Sequence, residues 1–253
     1  MKKLLIRAIK DYVKNFQIIN NTKTDWNEPL VSFASSADPL FLELKKVVSI
    51  SHNLPTDLIE DAQTVISYFI PFQKEMVTGN KKGEIASEGW VLAYIETNKL
   101  ITDLNEYIAG QIAKTGHQSV VLPPTHNYNQ VNLVSDWSHK HIGYIAGLGK
   151  FGLHQMLITD KGCCGRLGSM ITNLKVEPTK RPIEEYCLYK YNKSCGECIK
   201  KCINGALQID NFDKHKCYEK TLSNAEIYKE KGLADVCGKC ISVVPCSFTN
   251  PVV

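Results

Sequence analysis

The stretch Cys187-LYKYNKS-Cys195-GE-Cys198-IKK-Cys202, then Cys217, then Cys237-GK-Cys240-ISVVP-Cys246 decides how this chain is read. It holds eight of the ten cysteines. A thiolate is a soft ligand, suited to iron in sulfide-bridged clusters. The x2 spacing turns the backbone tightly round one corner of a cubane. Two such blocks in succession form the ligand pattern for two 4Fe–4S clusters. Zinc and disulfides are the alternatives, and Cys195-GE-Cys198 taken alone would suit a zinc knuckle. The order of all eight cysteines favours iron–sulfur.

The arrangement resembles that of two-cluster ferredoxins, where the fourth cysteine of each block crosses to the other cluster. That resemblance implies one cluster on Cys187, Cys195, Cys198 and Cys246, and another on Cys202, Cys217, Cys237 and Cys240. Ile203-NGAL stands where ferredoxins carry a Pro-x-Gly-Ala-Ile/Leu turn. The blocks are looser than the compact pattern. Seven residues separate Cys187 from Cys195, nineteen separate Cys217 from Cys237, and five separate Cys240 from Cys246. Cys163 and Cys164 lie outside the pattern and read as small buried or loop thiols, with a redox-active thiol near a cofactor as the alternative.

The composition of the whole sequence is that of a globular chain, 43% hydrophobic and 22% charged. Its formal charge is +4. Two cubanes with their thiolates, at about −2 each, would bring this near zero, so charge gives no support for nucleic-acid binding. No apolar run is long enough for a membrane span. The start, MKKLLIRAIKDYVKNF, lacks a signal-peptide core, and its Leu5, Ile9, Tyr12 or Val13, and Phe16 predict an amphipathic helix. The expected location is cytoplasmic. Cysteines in that setting point to metal or redox chemistry rather than structural disulfides.

The sequence predicts a helix over 38–48 with Asp38 as its cap, a turn at Pro55 and Asp57, and a buried strand over Thr64–Ile70. A polar loop follows at 78–84, then a helix over 98–114 and a short strand over 119–122. The polar, aromatic segment 125–132 reads as a loop bordering a site. A helix capped by Asp136 ends at Gly147. The strands Gln155-MLIT and Leu167-GSMITNLKV come next, and Pro178 to Pro182 form a linker. This gives an α/β or α+β domain over 1–182, with a ferredoxin-like module over 183–253.

Gly147-L-Gly149-K-F-Gly152 is nearly GxGxxG, but it follows a helix, whereas the dinucleotide fingerprint follows a strand. Together with His139-KHIGYIAGLGKFGLHQMLIT, Arg166-LGSMITNLKV and the cysteine module, it resembles the epoxyqueuosine reductase family, to which reductive dehalogenases are related. The resemblance runs from about Asp61 to the end. It implies an α/β domain that holds cobalamin beside one of two 4Fe–4S clusters. Lining residues would be Gly147, Leu148, Gly149, Phe151, Gly152, His154, Arg166, Gly168 and Ser169, with the loop around Tyr128. That family carries an Arg-Asp-Tyr-His motif whose Asp is the proposed proton donor, and Glu96-TNKL stands at that place here. The family also continues into a helical-repeat domain. This sequence stops at Val253, seven residues after Cys246, which implies a short form.

The expected function is a reductase that passes electrons through two clusters to a bound corrinoid. A ferredoxin or flavodoxin would be the donor, and a small molecule or modified nucleoside the substrate; tRNA is possible but not supported by composition. Candidate proton donors are Tyr68, Lys99, His126, Tyr128, His139 and His154. The other reading is an iron–sulfur electron carrier that serves a partner without its own cobalamin.

Overall fold

A computed structural model describes residues 1–126 and 128–252. The chain opens with α1 (Lys2–Asn20), whose buried Leu5, Ile9, Val13 and Phe16 fall at helical spacing. It stops at Asn21, which adopts the left-handed conformation and donates its N–H to the Gln17 carbonyl. Then follow β1 (Leu30–Ser35), α2 (Leu40–Val47), the one-turn α3 (Pro55–Leu58) and β2 (Thr64–Pro71). Next come α4 (Lys74–Gly79), α5 (Glu88–Ala113), β3 (Ser119–Val121) and the small hairpin of β4 (Tyr128–Asn129) and β5 (Val134–Ser135). The segment α6 (His139–Ala146) leads into a second hairpin, β6 (Gly149–Phe151) and β7 (Leu157–Thr159), and then into β8 (Gly165–Thr172). The cysteine-rich part carries only short helices, α7 (Leu188–Asn192) and α8 (Glu197–Lys200), and one longer helix, α9 (Lys214–Ile227).

The main sheet has the order β1-β2-β8-β3, with every pair antiparallel. The architecture is therefore α+β, not a parallel α/β sheet. All eight residues of β2 are buried, because helices cover both faces. Ile66, Tyr68 and Ile70 face the core shared with α1 and α5, while Val65 faces the core shared with α2 and α6. The same alternation in β8 sends Met170 toward α5 and Ile171 toward α6. The segment after β8 lies along the free edge of β1, where the Thr179 N–H donates to the Phe33 carbonyl at 2.8 Å.

Several boundaries differ from the sequence reading. Helix α5 begins ten residues before the predicted Asn98, capped by Ser87, whose Oγ accepts the Trp90 N–H. Its first turns bury Trp90, Val91, Ala93 and Tyr94 around the helix, so no single apolar stripe marks them. Helix α6 is preceded by Ser138; Asp136 instead accepts a hydrogen bond from the Ser51 hydroxyl. The predicted turn at Pro55 is the helical turn α3.

One hydrophobic core runs through both parts of the chain, holding Leu5, Phe33 and Leu104 together with Cys187, Leu207 and Val244. The loop between α4 and α5 ties into the cysteine-rich part. Asn80 Nδ2 donates to the Cys237 carbonyl at 2.9 Å and to Ser242 Oγ at 3.0 Å. Its Oδ1 accepts the Ser87 N–H, and the buried Lys239 ammonium donates to the Asn80 and Lys82 carbonyls. Among the described residues no helix is long and apolar enough to cross a membrane.

Candidate functional site

The eight cysteines of the module gather in two groups. Cys187, Cys195, Cys198 and Cys246 line one small cavity of about 20 Å³ with Leu153, His154 and Val244. Cys202, Cys217, Cys237 and Cys240 line a second cavity of about 430 Å³, within the range of small-ligand sites. Helices position three of these thiols. Cys187 caps α7, Cys198 lies in α8, and Cys217 in α9.

Some thiols in each group are pushed toward the protonated form as they stand. Burial, and then the neighbouring Cys246, Cys187 and Cys195, push Cys198 up to about 12. Burial, and then Cys237 and Cys202, push Cys217 up to about 11. Cys240 is raised by burial and by the other members of its group. Crowded thiols of which Cys198, Cys217 and Cys240 are raised by burial and by one another fit a cationic metal core, which would reverse that balance.

The wall of the large cavity opposite its cysteines comes from the main domain. Phe72, Trp90, Tyr94 and Met156 form an apolar face, Arg166, Lys140 and Tyr128 bring polar groups, and Asp235 joins them from the cysteine-rich part. Arg166 reaches it from the α5 face of β8. Its guanidinium lies 4.3 Å from the Tyr94 ring centroid, and its Nη2 donates to Asn98 Oδ1 and the Pro124 carbonyl. Arg166 Nε and Trp90 Nε1 are buried without a hydrogen-bond partner. The aromatic wall, with the Arg166 guanidinium and Lys140 beside it, fits a large flat ligand that carries peripheral acceptors.

Polar contacts run from this wall toward solvent. The Tyr94 hydroxyl donates to Asp235 Oδ1 at 2.8 Å and lies 3.1 Å from the Thr125 hydroxyl. Asp235 Oδ2 is 3.2 Å from Nε2 of the partly exposed His126. Burial is the largest cause that raises the Tyr94 pKa, so its proton is held. Tyr128 donates to the Tyr218 hydroxyl at 3.0 Å, and burial followed by that contact raises its pKa as well.

Of the residues named by resemblance, His154 and Arg166 line the large cavity. The glycines Gly147, Gly149, Gly152 and Gly168 are not among its lining residues, and each has a local role in the fold. Gly147 ends α6 in the left-handed conformation. A Cβ on Gly149 would overlap the Ile158 carbonyl across the β6–β7 pair, and one on Gly152 would lie 2.6 Å from His154 Cε1. Leu148 packs with Phe69 and Leu157, with Phe151 beside them. Gly168 lies under the Tyr68 ring. Ser169 is on the α6 face, bonded to Trp137 Nε1 and His139 Nδ1.

The candidate proton donors separate in the same way. Tyr68 is fully buried and donates to Asn105 Oδ1 at 2.8 Å, away from the cavity. Lys99 pairs with Asp103 on the surface of α5. His139 is held between Ser169 and the Pro123 carbonyl, with its pKa pushed down to about 4, mainly by burial. Tyr128 and His154 line the cavity. Glu96, which stands in place of the family's Asp, accepts the Lys23 and Thr24 N–H groups through its two oxygens and so pins the chain after α1. Sequence reading missed Tyr94, Trp90 and Asp235. The one local signal was an acidic residue two positions before the ligand-type Cys237.

Cys163 and Cys164 are both buried, in accord with the plainer of the two sequence readings. Cys163 lies against Cys246. The hydrogen bond from Cys163, and then that from His154, hold Cys246 low, at about 5, against burial.

No protein-family model matches the sequence, and no curated protein matches it. Solved structures do. An epoxyqueuosine reductase from Bacillus subtilis superposes with a TM-score of 0.57 at 15% identity, over 96% of this chain and 66% of that one. An epoxyqueuosine reductase with a tRNA-Tyr epoxyqueuosine-modified stem loop gives 0.56 at 15% identity, over the same shares. A reductive dehalogenase described with a mechanism for B12-dependent dehalogenation gives 0.57 at 18% identity, over 85% of this chain and 29% of that one. The chain thus spans about two thirds of the reductases and under a third of the dehalogenase. It has the fold shared by epoxyqueuosine reductases and reductive dehalogenases, the relation its sequence resembles.

Proposed function

We propose that this chain is an iron–sulfur reductase, with a 4Fe–4S cluster on each cysteine group and a corrinoid in the large cavity. The observation that carries this reading is the pairing of four of the cysteines with an aromatic, donor-bearing wall around one cavity, in the fold of B12-dependent reductases. A reduced corrinoid supplies a strongly reducing, nucleophilic cobalt when bound.

The residues divide the remaining work. Cys202, Cys217, Cys237 and Cys240 hold the cluster beside the cavity, and Cys187, Cys195, Cys198 and Cys246 hold the one behind it. Phe72, Trp90 and Met156 keep water from one side of the ligand. Arg166 and Lys140 orient it through its acceptors. Tyr94 holds a proton at its hydroxyl, and Asp235 and His126 link that hydroxyl toward solvent. An electron donor of the ferredoxin or flavodoxin type reaches the outer cluster. A modified nucleoside is one substrate class consistent with the neighbour solved with a modified tRNA stem loop; a small organic molecule is the other.

The test is anaerobic reconstitution with iron and sulfide, followed by titration with cob(II)alamin. About eight iron atoms per chain and a perturbed cobalamin spectrum are expected. Stoichiometric zinc without iron would overturn the cluster assignment. Full iron without affinity for cob(II)alamin would leave an electron carrier that serves a partner.

A further inference from the structure

Cys246 has two neighbours that no cluster-ligand pattern requires. His154 Nε2 lies 3.3 Å from its Sγ. The ligand atoms of His154, Cys163 and Cys246 all lie within 4.8 Å of one another. Neither neighbour is an accident of a loose surface: His154 is 5% exposed and Cys163 is 1% exposed.

Local structure builds this contact. His154 sits in the turn of the β6–β7 hairpin, and Gly152 leaves the space that its ring fills. Gln155, at φ 63°, turns the chain back so that the Met156 N–H donates to His154 Nδ1 at 3.1 Å. A nitrogen that accepts carries no proton in neutral imidazole. The ring proton is therefore on Nε2, the nitrogen facing Cys246. Cys163 arrives from the turn between β7 and β8. Its N–H donates to the Cys246 carbonyl at 3.0 Å, and the Cys164 N–H donates to the Ser247 carbonyl at 3.2 Å. The two backbones are laced together, which holds the Cys163 thiol beside the Cys246 sulfur. The other cysteine group is treated differently: there the Leu207 backbone N–H approaches Cys202 Sγ at 3.3 Å.

We infer that His154, with Cys163 as a second donor, sets the reduction potential of the cluster held by Cys187, Cys195, Cys198 and Cys246, through hydrogen bonds to the Cys246 sulfur. The inference rests on the iron–sulfur reading above. A reduced cluster carries one more negative charge, spread over its sulfurs. A donor aimed at a ligand sulfur favours that state and raises the potential. His154 acts through Cys246 and is a positioning residue for the electron, not a cluster ligand.

The experiment is a redox titration of the reconstituted full chain, followed by electron paramagnetic resonance, with the Cys240→Ala variant identifying the signal of the first cluster. His154→Leu removes the donor. It should lower the potential of that cluster by a factor of about ten in the reduction equilibrium, about 59 mV for a one-electron couple, and leave the other cluster in place. His154→Gln keeps an N–H donor and should restore most of the shift. Cys163→Ala should move the same cluster in the same direction by less. An unmoved potential in His154→Leu overturns the inference, as do equal shifts in the Leu and Gln variants or parallel shifts of both clusters. If His154→Leu fails to assemble the first cluster, Cys163→Ala decides: a downward shift confined to that cluster supports the inference, and no shift overturns it. Wild-type protein without clusters would overturn both this and the proposed function, whereas loaded clusters with unmoved potentials overturn this alone.

Discussion

The two cysteine groups are alike in number and unlike in surroundings. Around Cys187, Cys195, Cys198 and Cys246 the walls are apolar and close in on about 20 Å³. Around Cys202, Cys217, Cys237 and Cys240 the space opens to about 430 Å³, and Tyr94, Arg166 and Lys140 face it. On the proposed reading, a group with no room beside it would only hold its cluster and pass electrons through. A group beside a cavity can also serve a bound ligand. His154 lines both cavities and links the two.

The largest expected effect separates the groups outright. Cys198→Ala and Cys240→Ala should each cut iron from about eight atoms per chain to about four. Binding of cob(II)alamin should survive the first change and weaken in the second. Equal loss of binding in both would erase the functional distinction between the groups.

Gly149→Leu comes next. Its side chain would collide with the Ile158 carbonyl, opening the hairpin that carries His154. We expect a loss of about 3 kcal/mol or more in urea unfolding. Disturbance should reach the cluster on Cys246 before the other. An unchanged midpoint would show that the β6–β7 pairing is not as described.

Asn80→Ala probes the opposite group. It removes donors to the Cys237 carbonyl and Ser242 and leaves the Ser87 N–H without its acceptor. A cost of about 2 kcal/mol is expected, from buried partners left unpaired. The spectrum of the Cys202–Cys240 cluster should change while the other stays as it is; the reverse pattern would contradict the packing of the α4–α5 loop.

The smallest effect is one of pH. His139 and His141 in α6 are both pushed from 6.5 down to about 4, chiefly by burial. The unfolded chain therefore takes up protons near 6.5 while the folded chain does not until about 4. Stability contributed by these neutral rings is present above 6.5 and is lost as pH falls toward 4. His139→Gln should flatten the slope of the urea midpoint over that range. An unaltered slope would mean that His139 is free to protonate in the folded state.

Much of the scaffold was legible in the residues. Leu5, Ile9 and Phe16 mark α1 by spacing, and the unbroken apolar run at Thr64 marks a central strand. The first turns of α5 were not legible, because Trp90, Val91, Ala93 and Tyr94 are buried on more than one side and leave no period to read. The glycines from Gly147 to Gly152 were visible, but their packing against Ile158 and His154 was not. A sequence shows that a side chain is missing, and only the fold shows what fills its place.

The sequence by itself determined the chemistry on offer: eight thiols in two blocks, in an order that resembles cubane ligand sets. Only the tertiary structure decided which groups meet. His154 and Cys246 are 92 residues apart, and Tyr94 and Asp235 are 141 apart. Contacts at such separations come from docking whole segments, not from local pattern. The hairpin β6–β7 must fold back on the chain after Cys240, and α5 must pack under the loop before Cys237, before either pair exists. The physical reason is that spacing along a chain governs only the neighbours within a turn or a strand, whereas a site takes its partners from whatever surfaces the core brings into register.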